Sequence, residues 1–487
     1  MFMKKSGQLL LRLTAVVLSV SFVLSGCLGG KRTGQSSKAP VSISIWHYYN
    51  GVQKQSFDDL VAEFNDTVGA EQGIVVEAYN KGYVNDLSRQ VIAAANQDVG
   101  AEEVPDVFAA YADTAYEVYR RGMTADIGAY LTEEEKNSYI PAYMEEGRFS
   151  KNGQTVIFPI AKSTEVFMLN TTDWQPFAEA TGASVESFAT WEGLAEVAEE
   201  YYRWTDSLTP EKDDGKAFFG RDALANYLLI GSYQLGSELF DVIDGQVFLR
   251  IDEEIMRRLW DNYYVPYVNG YYTAIGRFRS DDAKTGDILA LVGSSAGAPY
   301  FPGTVTLSDG EAYEVESAVY PPPNFAGAKP SAVQQGAGMV VTKSEPRREA
   351  AAVTFLKWFT RPEQNLRFCL CSGYLPVTKA ANTQEALEQA ADNQQIVTPL
   401  KQALFTGIEM VNGRYQLYTN QAFEKGDQAR SVVNLSLQNR AEEDREKVRR
   451  LMDQGLSRQK AVARVATDQA FQEWLADFTR ELEAAVG

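Results

Sequence analysis

The sequence predicts an α/β protein built on a parallel sheet with helices on its faces. Three observations carry this. Strand-like and helix-like segments alternate three times between Val41 and Arg121, the order expected of crossover-connected parallel strands. Apolar residues make up 45% of the 487 positions, enough for the cores of two or three domains. Helical spacing dominates the second half of the chain, where it is interrupted by short apolar runs.

Val41 begins the ordered part, and Ser42-Ile43-Ser44-Ile45-Trp46 alternates as a strand does. Phe57, Leu60, Val61 and Phe64 then share one helical face. Ile74 to Tyr79 is a second strand, Leu87, Val91 and Ala95 mark a second helix, and Pro105 to Phe108 starts a third strand before a helix containing Tyr116 to Arg121. Asn152-Gly153 predicts a hairpin joining Arg148-Phe149 to Val156-Ile157-Phe158. Ile160 to Asn170 reads as an extended crossing segment. Helices follow at Trp191–Trp204, Ala223–Tyr233 and Glu253–Tyr264. Gly336 to Val341 is a glycine-rich strand, Arg347–Phe359 a helix, and the last hundred residues are largely helical.

The amino terminus carries Lys4, Lys5 and Arg12 before an apolar run from about Leu13 to Leu24. Such a run is short for a bilayer span and has the anatomy of an export signal. Leu24-Ser25-Gly26-Cys27 then resembles the lipobox of bacterial lipoproteins. That resemblance implies removal of residues 1–26, diacylglyceryl attachment to Cys27, and a flexible tether over 27–40. The expected location is the extracytoplasmic face of the cell membrane.

The formal charge is −19 and becomes −22 once the three basic residues of the leader are removed. A surface of that sign repels nucleic acid, which excludes a nucleic-acid role. Cys369 and Cys371 flank one residue in a predicted helix, so their side chains diverge and a bridge between them is not expected. One histidine, His47, and no paired thiols leave little for a transition-metal site. No metal, cofactor or catalysis is expected, and the chain contains neither a Gly-x-Ser-x-Gly elbow nor a phosphate-binding Walker loop.

Tyrosine is the commonest aromatic residue, with 25 copies. Its flat face and polar tip match the C–H faces and hydroxyl rim of a sugar. The Trp46-His47-Tyr48-Tyr49 cluster follows the first strand, where a parallel sheet opens its ligand crevice. Gly293-Ser294-Ser295 ends a later strand in a hydroxyl-rich turn suited to a polar ligand.

In order along the chain come Ile45-Trp46-His47, Ala62-Glu63-Phe64-Asn65, Tyr79 to Tyr83, Pro105 to Phe108, Phe158 to Val166, Gly293 to Ser295, Gly336-Ala337-Gly338 and Gly373-Tyr374-Leu375-Pro376. Together they resemble the solute-binding proteins of ATP-binding-cassette importers, in the carbohydrate group that includes maltose, multiple-sugar and glycerol-3-phosphate binders. The resemblance implies a type II periplasmic-binding-protein fold: two lobes, hinge crossovers, and a ligand cleft between them. It places the first lobe at 41–161 and 337–385 and the second at 162–336 and 386–487. The resemblance implies ligand contacts at Tyr83, Ser163, Ser294 or Ser295, Gly336 and Tyr374, with Asp113 and Arg414 secondary, and the aromatic cluster adds Trp46, Tyr48 and Tyr49. In the glycerol-3-phosphate branch an acid follows the third strand; here Ala112 stands at that point, with Asp113 beside it. The late phosphate-pairing arginine falls near Glu409, so a neutral saccharide is expected over a phosphorylated polyol. A monomer delivering sugar to a permease is the expected function. The alternatives are a phosphorylated-polyol receptor, a sensory lipoprotein, and an exported carbohydrate-active enzyme with two facing carboxyl groups.

Overall fold

The computed structural model describes residues 39–149, 153–243, 245–391, 396–413 and 415–487, and residues 40–487 form one compact unit. The leader, Cys27, the tether as far as residue 38, Asn152 and Arg414 lie outside the described residues.

Strand β1 (Val41–His47) pairs in parallel with β2 (Ile74–Asn80) and β3 (Val107–Ala110), placing Trp46 opposite Tyr79 and Phe108. Helix Gly51–Phe64 buries the Phe57, Leu60, Val61 and Phe64 face read from the sequence. It runs on through a π turn, Asn65–Gly69, and the chain reverses at Gly73, whose φ of 67° suits glycine. Helix Val84–Asn96 buries Leu87, Val91 and Ala95. The arms of the expected hairpin meet where Val156 N donates to Gly147 O at 2.9 Å, Asn152 of its turn lying outside the described residues, and the second arm leads into the edge strand β4 (Ile157–Phe158). It pairs with a strand nearly two hundred residues later, while Phe149 packs on Tyr116 and Tyr119.

Past the crossing at Ile160–Thr164 a second sheet forms. It contains β5 (Glu165–Asn170) and β6 (Phe219–Arg221), with the hairpin β7 (Phe240–Ile243) and β8 (Gln246–Leu249) set apart. It is completed by β9 (Ala290–Ser294) and, after the hairpin β10 (Thr304–Thr306) and β11 (Ala312–Glu314), by β12 (Ser317–Tyr320). The spatial order is β12-β5-β9-β6. Strand β13 (Ser331–Val333) leads back to β14 (Gly338–Val341), which enters the first sheet antiparallel between β3 and β4. Gly338 there has no room for a Cβ beside Ile157 and Phe158. Strand β15 (Gln416–Tyr418) pairs with β13.

Each sheet has its own core. The first gathers Ile45, Phe57, Phe108, Val340, Phe355 and Phe368; the second gathers Phe167, Trp191, Phe219, Tyr227, Trp260 and Phe471. This two-core, two-sheet division gives the predicted two lobes, each with a full apolar interior. Helix Thr398–Asn412 touches both sides. Leu404 and Ile408 pack with Leu366 and Leu375, whereas Ala403 and Met410 pack with Val166 and Met168 of β5. The long helix Gly426–Asp453 and the helix Asp468–Val486 close the second lobe. Cys369 is buried and Cys371 half-buried, both as free thiols on the helix Pro362–Ser372.

Candidate ligand cleft

Residues after β1, β2 and β3 lie at the carboxyl edge of the first sheet, the usual place for ligands in a parallel sheet. At one edge of the second sheet lie Glu165 at the start of β5, its register partner Ser294 at the end of β9, and Asp222 just past β6. The hinge strands form the floor: Ser163 and Gln335 exchange two backbone hydrogen bonds of 2.8 Å, and Lys162 N donates to Leu375 O at 3.1 Å.

Three tyrosine hydroxyls converge on the hinge at Gly336-Ala337. Tyr48 and Tyr374 hydroxyls are 3.0 Å apart, and Ala337 N donates to the Tyr48 hydroxyl at 3.3 Å. The Tyr111 hydroxyl faces the Gly336 backbone and neighbours both. Burial raises the pKa of all three phenols, so each stays a neutral donor and acceptor. Tyr111 is nevertheless 37% exposed. Gly336 adopts φ 87° with the Ala161 carbonyl and Lys162 backbone close by, a position open only to glycine. Its carbonyl accepts from Lys162 Nζ, which also pairs with Glu146, both side chains being buried.

The other expected residues take varied positions. Tyr83 is exposed, and the Arg277 guanidinium lies 4.2 Å over its ring, joining one wall to the other. Trp46 is buried within β1 under the Lys81 ammonium, 4.1 Å from its ring centre. Tyr49 is fully buried among His47, Phe57 and Phe368, so its ring serves the core. Ser295 is likewise buried, donating to Gly373 O at 2.9 Å, and Ser294 caps Ala296 N at 3.2 Å. Ser163 is buried and offers its backbone to the hinge. Asp113 has one buried carboxylate oxygen without a partner, and burial pushes its pKa up to about 7. Among the described residues no cluster of three or more His, Cys, Asp or Glu is placed to hold a metal.

Several cleft residues escaped the sequence reading. Tyr111 had a signal, being the first residue after β3. Arg221, Asn226 and Arg430 had none: Glu165 is joined to Arg221 at 2.6 Å and to Asn226 at 2.8 Å, and Arg430 reaches Asn226 at 2.6 Å. Burial raises the neighbouring Asp222 to about 6. Oxygen atoms of Gln334 and Gln335 and the Asn420 amide nitrogen are buried without partners along the hinge. Buried polar atoms left unpaired are costly, and a polyhydroxylated guest would satisfy them. The arrangement supplies hydrogen bonds and ring faces for binding.

Residues 59–395, more than two thirds of the chain, match the family described as bacterial extracellular solute-binding protein. No curated protein matches by sequence. Among solved structures, the cyclic α-maltosyl-1,6-maltose binding protein of Arthrobacter globiformis is similar, with a TM-score of 0.64 at 18% identity, covering 92% of this chain and 99% of that one. UgpB of Mycobacterium tuberculosis, solved with glycerophosphocholine, gives a TM-score of 0.65 at 17% identity, over 93% and 100% of the two chains. The GacH receptor of Streptomyces glaucescens, solved unliganded and with acarbose, gives 0.63 at 14% identity over 92% and 99%. At these identities the likeness establishes the two-lobed fold.

Proposed function

Because the chain belongs to the bacterial extracellular solute-binding proteins, we propose that it captures a neutral carbohydrate and hands it to an importer permease, held to the membrane by a lipid on Cys27. The lobes run 41–161 with 337–385, and 162–336 with 386–487, and close on the sugar about the hinge. Closure follows binding only if the sugar contacts the closed state better than the open one. The convergence of Tyr48, Tyr111 and Tyr374 on Gly336-Ala337 carries this reading, since it offers neutral hydrogen bonds beside ring surface.

The cleft's charges support an uncharged guest. Arg221 pairs with Glu165, Lys162 with Glu146, Arg279 with Asp282, and Arg430 bonds Asn226 while facing Asp113. Each of these cations has an acid or amide partner, while Arg221 Nε and Nη1 stay buried without acceptors, donors that sugar hydroxyls would satisfy.

The test is a thermal-shift screen of the protein against mono- and oligosaccharides, with glycerol 3-phosphate alongside. A true ligand at 100 times its Kd adds about 2.7 kcal/mol of stability. Tight glycerol 3-phosphate binding with no response to sugars would overturn the neutral-ligand reading. Mass spectrometry of the membrane-bound protein, expected to show a diacylglyceryl-modified Cys27 at the new terminus, tests the anchor.

A further inference from the structure

Helix Ala112–Arg120 belongs to the first lobe, where Ala115 and Val118 enter the core. Helix Gly426–Asp453 belongs to the second, through Ala429, Val433 and Leu437. Their ends meet. The long helix starts after Lys425, which holds a left-handed φ of 62° and contributes no side-chain cap. Gly426 N and Gln428 N bond the Phe423 and Lys425 carbonyls, which leaves the Lys425 amide and the positive end of the dipole open to partners from elsewhere. Glu117 of the first lobe supplies one, accepting from Lys425 N at 3.4 Å. Asp113, one turn earlier on the same helix, has its Oδ1 packed so closely over Gly426 that a Cβ there would collide with it. Arg120 adds an ion pair to Glu424 at 2.9 Å.

We propose that Asp113 and Glu117 form a clasp, seated on the amino end of the Gly426–Asp453 helix, that sets how readily the two lobes close. The clasp rests on the reading of the chain as a hinged receptor, but its action is visible without any sugar. It makes Asp113 a positioning residue, acting on lobe geometry through a neighbouring helix end.

The clasp is also sensitive to pH. With the clasp seated, Asp113 faces Arg430 and Asp427 on the long helix, Glu146 beyond the helix Pro141–Glu145, Glu117 on its own helix, and Tyr418 of β15. Burial outweighs Arg430 and holds the carboxyl at about 7. Opening returns it to water, where a carboxyl ionises near pH 4. The closed form thus binds one more proton between these values, and closure strengthens as pH falls from 7 toward 4.

The test places spin labels on the full chain through Val99→Cys and Leu208→Cys, two exposed positions on opposite lobes, and measures the ligand-free distance distribution. The unsubstituted labelled chain gives the background from Cys27, Cys369 and Cys371. Gly426→Ala is expected to shift the population toward longer distances. Adding Asp113→Ala makes room for the new methyl and is expected to restore the shorter distance. In the parent chain the closed fraction should rise several-fold between pH 8 and pH 5, and Asp113→Asn should remove that dependence while remaining folded. Unchanged distances in Gly426→Ala, or a pH response that persists in Asp113→Asn, would overturn the clasp. Failure of every sugar in the thermal screen would instead count against the carbohydrate reading and leave these distances as they are.

Discussion

His47 shows how one buried side chain links composition to acid stability. Its Nδ1 accepts from Tyr49 N at 3.2 Å, its ring stacks on Tyr49, and its Nε2 has no partner. Burial lowers its pKa from 6.5 to about 4. The unfolded chain therefore binds more protons between those values. The stabilisation is complete above pH 6.5 and is lost as pH falls toward 4, by on the order of 3 kcal/mol. Urea unfolding of His47→Gln should lose most of that slope between pH 6.5 and pH 4.5. The tyrosines divide by the same logic of burial. Tyr111 is accessible and hydrogen-bonding, so Tyr111→Phe should weaken sugar binding about tenfold by calorimetry with little change in melting temperature. The Tyr49 hydroxyl is buried without a partner, so Tyr49→Phe should leave binding intact and hold or raise stability, read by thermal melting.

Among the elements, the turn after helix Pro362–Ser372 is the most sensitive to a single methyl. Gly373 holds φ 74° and sits hard against Ser295 O and the Ala296 backbone, at the junction of the lobes. Gly373→Ala should cost about 1–3 kcal/mol for backbone strain, plus the clash, measured by urea unfolding. The elements themselves were legible wherever their signal was local. The face Phe57-Leu60-Val61-Phe64 and the face Leu87-Val91-Ala95 are both buried as read. The pairing of β4 with β14 was not legible, because it is non-local and no turn signal encodes it. The aromatic cluster after β1 was legible as a cluster but not residue by residue. Alternation along extended backbone sends His47 and Tyr49 into the core with Phe57 and turns Tyr48 toward the hinge. Nothing in the local sequence says which parity faces the cleft. The polar set Glu165, Arg221, Asn226 and Arg430 was invisible for the same reason, since three separated stretches of chain assemble it.

Across the molecule, the two lobes are held together by short crossing strands, and one buried ion pair anchors them. Lys162 lies on the crossing itself, with its backbone bonded to Leu375 and its ammonium to Glu146 and Gly336 O. Glu146 also accepts from Gln334 Nε2 at 3.4 Å, so this carboxylate touches both chain passages of the hinge. The order of the sequence motifs indicated where the crossings lie, but not that a charge pair sits inside them. Removing one partner strands the other charge away from water, an effect of about 3–5 kcal/mol. Lys162→Met should therefore destabilise the protein by that amount. Lys162→Met with Glu146→Leu should recover much of the loss, because two apolar side chains need no counter-ion. Stability and hinge function separate at this point. The double variant no longer donates to the Gly336 carbonyl, which helps to fix the strand beneath the tyrosine hydroxyls. Urea unfolding should accordingly show recovery while sugar titration shows binding still weakened. Full recovery of both would mean that the pair serves only to fill the hinge, and loss of both in the double variant would mean that the ammonium's bond to Gly336 itself holds the lobes in register.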